Sequence, residues 1–150
     1  MVTNFVIEKV EFTPEKIKGK DRPRYRRVGN YVQTYTTSST KSFENGIRYQ
    51  FEQQVGSEYS TYDGRVSLNI EIHCAMPKSW SNKAKSLAVG THHTNKPDID
   101  NILKALLDAL NGIAYSDDKQ VCHIFVSKRW AYENKINVEI GYLDKIKDLD

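Results

Sequence analysis

Residues 96–118 read KPDIDNILKALLDALNGIAYSDD, and the rest of the chain is organised around them. Pro97 stands at or just before a first helical turn, where its missing N–H costs nothing. Asp98 suits the N-cap, and Asp100 falls in the first turn, where a negative charge complements the helix dipole. Ile99, Ile102, Leu103, Leu106, Leu107 and Leu110 recur at i, i+3, i+4 and i+7. That spacing predicts a helix from Asp98 to Asn111 with one buried stripe. Asp100, Lys104 and Asp108 lie four apart on the opposite side. Asn111-Gly112 is a strong stop, because glycine takes the left-handed conformation freely.

Asp117 and Asp118 follow shortly after that stop. The helix is about 20 Å long at ~1.5 Å per residue. Residues 112–118 span at most about 23 Å when extended. The second acidic pair therefore reaches the first if residues 113–118 run back along the helix. A second subunit completing the site is the other route. Four carboxylates gathered in a small space repel one another and raise their pKa values, a conflict that a divalent cation resolves. Oxygen-only ligation by Asp98, Asp100, Asp117 and Asp118 suits Mg²⁺, or Mn²⁺, better than Zn²⁺. Two such ions can activate a water and stabilise the leaving oxygen in phosphodiester hydrolysis. Lys104, one turn after Asp100, is placed to neutralise charge on a phosphate. The competing structural reading makes Asp98 a cap, Asp100–Lys104 a surface pair and Asp117-Asp118 a turn. It serves for each residue singly and less well for the set.

KPDIDNILKALLDALNG followed by YSDDKQV resembles the signature of the RusA-type Holliday-junction resolvases, small homodimeric Mg²⁺-dependent endonucleases often carried by prophages. The family pattern is Asp-x-Asp-Asn opening a helix, Lys four residues after the second Asp, and a downstream Asp-Asp. The resemblance implies that Asp98, Asp100 and Asp118 are the metal-binding and catalytic acids, and that Asp117 is an accessory acid. Lys104 is then the essential lysine and Asn101 a supporting neighbour. It also implies a homodimer acting on four-way junctions in DNA recombination and repair, since a junction needs two symmetric nicks. The match is tight over the motif and loose from about Val66 to Tyr142.

A second stretch bears on the partner. Lys16, Lys18, Lys20, Arg22, Arg24, Arg26 and Arg27 set seven cations against one acid, Asp21, a local charge of +6. The other residues hold 15 basic and 18 acidic side chains, a balance of −3, so the whole net charge of +3 comes from this segment. The first six cations alternate; in an extended ribbon they share one side and track a phosphate backbone. Tyr25, Tyr31 and Tyr35 follow at spacings that allow stacking on exposed bases. Residues 13–41 are thus expected to be a basic DNA-binding segment, mobile without DNA, with Lys96 adding a cation beside the acids.

At 150 residues the chain fits one domain. No apolar run approaches 18 residues and no secretory h-region is present, so a cytoplasmic location in a bacterium or phage-infected host is expected. Cys74 and Cys122 sit in strand patterns beside His73 and His123. Neighbouring residues in a strand face opposite ways, which argues against zinc. The motif does not fit an EF-hand loop. Strands are expected at 4–12, 66–76, 121–132 and 136–142, the third central and joined to the fourth by a hairpin turn on Glu133-Asn134. A packing helix is expected at 42–55 from Phe43, Ile47, Phe51 and Val55. Residues 78–96 read as a polar excursion whose His92-His93 are candidates for a phosphate contact or an acid. Tyr59 and Tyr62 have no assigned role, and residues 143–150 form a short helix or fray.

The expected fold is α+β: a mostly antiparallel sheet of about four strands with two main helices, as a homodimer. The expected function is a metal-dependent, structure-selective endodeoxyribonuclease. The alternatives are a nuclease for flaps or other branched DNA, and a non-catalytic DNA-binding module whose acids are structural.

Overall fold

A computed structural model describes residues 5–56 and 61–143. The order is β1 (Phe5–Phe12), β2 (Arg24–Val28), β3 (Tyr31–Tyr35), α1 (Ser38–Val55), β4 (Arg65–Ala75), α2 (Asn82–Ala88), α3 (Ile99–Leu110), β5 (Val121–Ala131) and β6 (Lys135–Leu143). Alternation decides the sheet. Val66, Leu68, Ile70, Ile72 and Cys74 are buried while Asn69 and Glu71 are exposed, so β4 has one dry face and one wet face. The four-stranded sheet runs β1-β6-β4-β5 and the hairpin β2-β3 stands apart. Two of the three pairings in the larger sheet are antiparallel and β4–β5 is parallel. The architecture is α+β.

Two helices cover the dry face. α1 contributes Phe43, Ile47 and Phe51, and α3 contributes Ile102, Ala105, Leu106, Ala109 and Leu110. These join Phe12, β4 and the Ile136, Val138 and Ile140 row of β6 in one core. Arg48 of α1 donates to the carbonyls of Ala109 and Asn111 at 3.2 and 3.0 Å, setting a cation on the C-terminal end of α3. Among the described residues no helix is long and apolar enough to cross a membrane.

Four expectations change. β5 is an edge strand: it pairs with β4 alone, and Phe125 is 63% exposed. Nor do β5 and β6 form a hairpin. They flank β4 on opposite sides, and residues 132–134 carry the chain over its end, where Asn134 accepts from the Ala75 N–H at 2.8 Å. α1 begins at Ser38 instead of Ser42, because Thr37 is its N-cap and accepts from the Thr40 N–H. The polar excursion is built: α2 starts at an N-cap Ser81, and His92 then bridges to Arg129 along the free edge of β5. Tyr59 and residues 144–150 lie outside the described residues. Tyr62 is structural; its hydroxyl donates to the Leu143 carbonyl and its ring meets Tyr142 edge-on.

Candidate active site

α3 starts and ends where the sequence places it. Asp98 is the N-cap, extended at φ −67° and ψ 147°, and its carbonyl accepts from the Ile102 N–H at 3.1 Å. Its carboxylate makes no cap hydrogen bond. The capping explanation for this residue therefore fails, and both oxygens stay open to a ligand. Asp100 sits in the first turn, also exposed, with Lys104 exposed one turn later. Among the described residues neither has an ion-pair partner, so the surface-pair explanation fails as well.

The second acidic pair is held at the other end of the helix. Gly112, at φ 79°, reverses the chain, and its N–H meets the Tyr115 carbonyl at 2.8 Å. Tyr115 is fully buried and its hydroxyl donates back to the Leu107 carbonyl at 2.9 Å. This tight fold keeps residues 113–118 from running back along α3. Asp117 caps a single 3-10 turn, Asp118–Gln120, by accepting from the Lys119 N–H; Gln120 returns a bond to the Asp117 N–H. That backbone bond holds Asp117 below the usual carboxylate range. Asp118 is pushed up by desolvation, then by its hydrogen bond to Asp117 and the charges of Asp117 and Asp108. Among the described residues, Asp118 has no ion-pair partner to offset the charges of Asp117 and Asp108.

The four carboxylates thus stand as two pairs that one chain does not bring together. Among the described residues no three Asp, Glu, His or Cys groups are close enough to share an ion. α3 alone, 12 residues long, separates its ends by about 18 Å. The donor chemistry suits a hard divalent cation, with exposed carboxylates on one side and mutually repelling carboxylates on the other. Each pair by itself offers too few ligands.

The cations of the basic stretch divide into two groups. Lys18 pairs with Asp21 at 3.1 Å, and Lys20 pairs with Glu44 at 2.6 Å and Asp108 at 3.0 Å. Glu44 and Asp108 raise the Lys20 pKa against the opposing effect of desolvation, the largest single influence on it. Lys20 is therefore a tie between the basic segment, α1 and α3, and is not free for phosphate. The single extended ribbon is corrected accordingly: only residues 24–28 of the stretch form a strand. Lys16, Arg22 and Lys96 remain exposed. Residues 16–21 lie along the start of α3 and line a groove of about 460 Å³ together with Lys96, Asp98 and Asn101. The Lys20 N–H donates to the Asn101 carbonyl at 2.9 Å, so Asn101 acts as a support through its backbone.

Gly19 permits this approach. A Cβ there would meet the Asn101 Cβ at 2.9 Å and the Pro97 Cβ at 3.3 Å. Gly19→Ala is expected to push the segment off α3, lowering stability by about 1–2 kcal/mol and the melting temperature by several degrees. Thermal unfolding followed by circular dichroism checks this; an unchanged midpoint would show that the contact is slack.

The hairpin β2–β3 carries the other cations. Its register sets Arg24 opposite Tyr35, Arg26 opposite Gln33 and Val28 opposite Tyr31. Alternation places Arg24, Arg26, Tyr31 and Tyr35 on one face, and Tyr25 and Arg27 on the other. Tyr25 and Tyr31 are 71% and 79% exposed, and the Arg26 guanidinium lies 5.6 Å from the Tyr35 ring centroid. A two-stranded hairpin is marginal alone. This one is anchored at its base by Asp21, which accepts from the Thr37 and Ser39 hydroxyls at 2.7 and 3.2 Å.

His93 is a packing residue, not a surface acid. It is buried with its ring 4.1 Å from Trp130, and desolvation followed by the charge of Lys128 pulls its pKa down. The sequence signal for this turn is the Asp-x-x-Gln spacing of Asp117 and Gln120, a capping box. Gln120 also donates to the Tyr62 and Gly64 carbonyls at 2.9 and 2.8 Å, which fixes the acidic turn to the entry of β4.

The Endodeoxyribonuclease RusA family matches residues 14–141. The chain is also 40% identical over 81 residues to "Uncharacterized protein YqaN" of Bacillus subtilis (strain 168), an alignment covering 51% of this chain and 57% of that protein. The chain thus spans little more than half the length of that curated relative.

Proposed function

Given that the chain belongs to the RusA endodeoxyribonuclease family, we propose that it resolves Holliday junctions by paired phosphodiester hydrolysis, acting as a homodimer with Mg²⁺, or Mn²⁺, as cofactor. The observation that carries this reading is the groove in which Lys16 and Lys96 lead to Asp98, an N-cap whose carboxylate its own helix leaves unbound. A carboxylate without a structural partner, beside cations that attract a phosphate backbone, is what hydrolysis needs and what a purely DNA-binding module does not.

The ligands are Asp98 and Asp100 of one protomer with the partner's Asp117 and the partner's Asp118. Support comes from the two pairs lying at opposite ends of α3, each incomplete. A two-fold dimer that sets the start of α3 against the partner's acidic turn makes two equivalent sites, one for each strand to be nicked. A divalent cation held there supplies Lewis acidity that activates water and stabilises the leaving oxygen. Lys104, with a free ammonium one turn beyond Asp100, offsets the charge that builds on the phosphate. Arg22, Arg24, Arg26 and Arg27 hold the backbone, and Tyr25 and Tyr31 stack on unpaired bases at the branch point.

The hairpin's part has its own test. The triple variant Arg24→Ala, Arg26→Ala, Arg27→Ala is expected to flatten the slope of log affinity against log salt by about 2.7, near 0.9 for each lost phosphate contact. Melting of the core should change little, since the bonds lost, from Arg26 to Gln33 and from Arg27 to the Gly29 carbonyl, are solvent-exposed and lie within the hairpin. Parallel salt slopes would remove the hairpin from the DNA interface. Competition of a four-way junction against a flapped duplex separates resolution from cutting of other branched DNA.

A further inference from the structure

The side chain that fixes the backbone ahead of Asp98 comes from a different element. Lys128 lies in β5 opposite Ile72, so alternation turns it to the helix-covered face of the sheet. Its ammonium donates to the Asn95 carbonyl at 2.6 Å and to the Pro97 carbonyl at 2.7 Å. A lysine has three donors, and two are used on the residues immediately before Asp98. The strand backbone joins in: the His93 N–H donates to the Lys128 carbonyl at 2.9 Å. The segment from His93 to Pro97 is therefore tied to β5 at three points. Asp98 has no side-chain bond to its own helix, so the direction of its carboxylate follows from the backbone these bonds hold.

We infer that Lys128 is a positioning residue for Asp98: its ammonium, bound to the carbonyls of Asn95 and Pro97, sets the direction of the Asp98 carboxylate toward the cation it would hold. This rests on the nuclease reading for its consequence in catalysis, but the clamp itself does not. Lys128 differs from Lys104 in kind. Lys104 is unpaired and faces solvent, ready to meet substrate, whereas Lys128 is already committed to backbone oxygens and acts through Asp98. Removing it leaves the cations of the groove and hairpin in place, so DNA affinity is not its readout.

The test compares Lys128→Met, which keeps the length and loses the donors, with Lys128→Arg, which keeps charge and donors. A synthetic four-way junction is the substrate, and amide hydrogen exchange is followed in the same proteins without DNA. Lys128→Met should lower kcat by about 100-fold, the scale of an ångström-level misplacement, with KM and metal-free junction affinity within about twofold. Exchange at the His93 and Ile102 amides, which donate to the Lys128 and Asp98 carbonyls on either side of the clamp, should quicken about tenfold while the β4–β5 ladder is unchanged. Lys128→Arg should recover most of the rate. The inference is overturned if Lys128→Met cuts like the parent. It is overturned equally if exchange quickens throughout β5 as the rate falls, which would make the role general stability, or if the His93 and Ile102 amides do not respond. If the parent protein does not cut the junction, the nuclease reading fails, and the exchange result alone still decides whether Lys128 holds Asp98.

Discussion

Asp98→Ala is expected to lose at least about 1,000-fold in junction cleavage and to melt within about 1 °C of the parent. The two halves of this result separate chemistry from structure. An N-cap aspartate that bonded its helix would cost about 1 kcal/mol on replacement by alanine, some 3 °C in a chain of this size. Here the carboxylate makes no such bond. The helix-dipole interaction lost with its charge is offset by the relief of repulsion from Asp100. Cleavage rates on a labelled junction, read beside thermal melts, check both halves. A variant that melts early and still cuts would return Asp98 to a capping role.

The second large effect is a gain of activity from two inactive proteins. Asp100→Asn removes a ligand at the start of α3, and Asp118→Asn removes one from the acidic turn. Each homodimer should be inactive. If one site joins Asp98 and Asp100 with the partner's acidic turn, a mixed dimer has one site carrying both lesions and one carrying neither. Random exchange makes about half the dimers mixed, so about a quarter of the parental site number returns. The product should be singly nicked junctions without paired resolution. Mixing without recovery would show that each chain completes its own site, requiring residues 113–118 to leave the fold held by Tyr115 and Gly112.

The elements nearest the site were legible because their signals are local. Six apolar positions between a proline-aspartate start and an Asn-Gly stop define α3 to within a residue, and strict alternation defines β4. The basic stretch was visible as charge, but not its division. Lys20 meets Glu44 and Asp108, 24 and 88 positions away, and no spacing rule connects them. β5 and β6 looked like a hairpin because short loops usually join paired strands. Instead the loop passes over the end of β4, with Asn134 supplying an acceptor to the Ala75 N–H. The separation of the acidic pairs turns on one buried ring: chain length permits Asp118 to return along the helix, but Tyr115 bonds Leu107 and holds the segment at its far end. Lys128 reads in the sequence as a cation at the end of a strand, and its task depends on a loop that folds back from about thirty residues earlier.

The most direct measurement is cleavage of a synthetic four-way junction with and without Mg²⁺, comparing the parent with Asp100→Asn. The expected result is paired, symmetric nicks that require the metal and vanish in the variant, with junction binding retained. Binding without nicks under Mg²⁺ or Mn²⁺ would contradict it and leave a DNA-binding protein whose carboxylates do no chemistry.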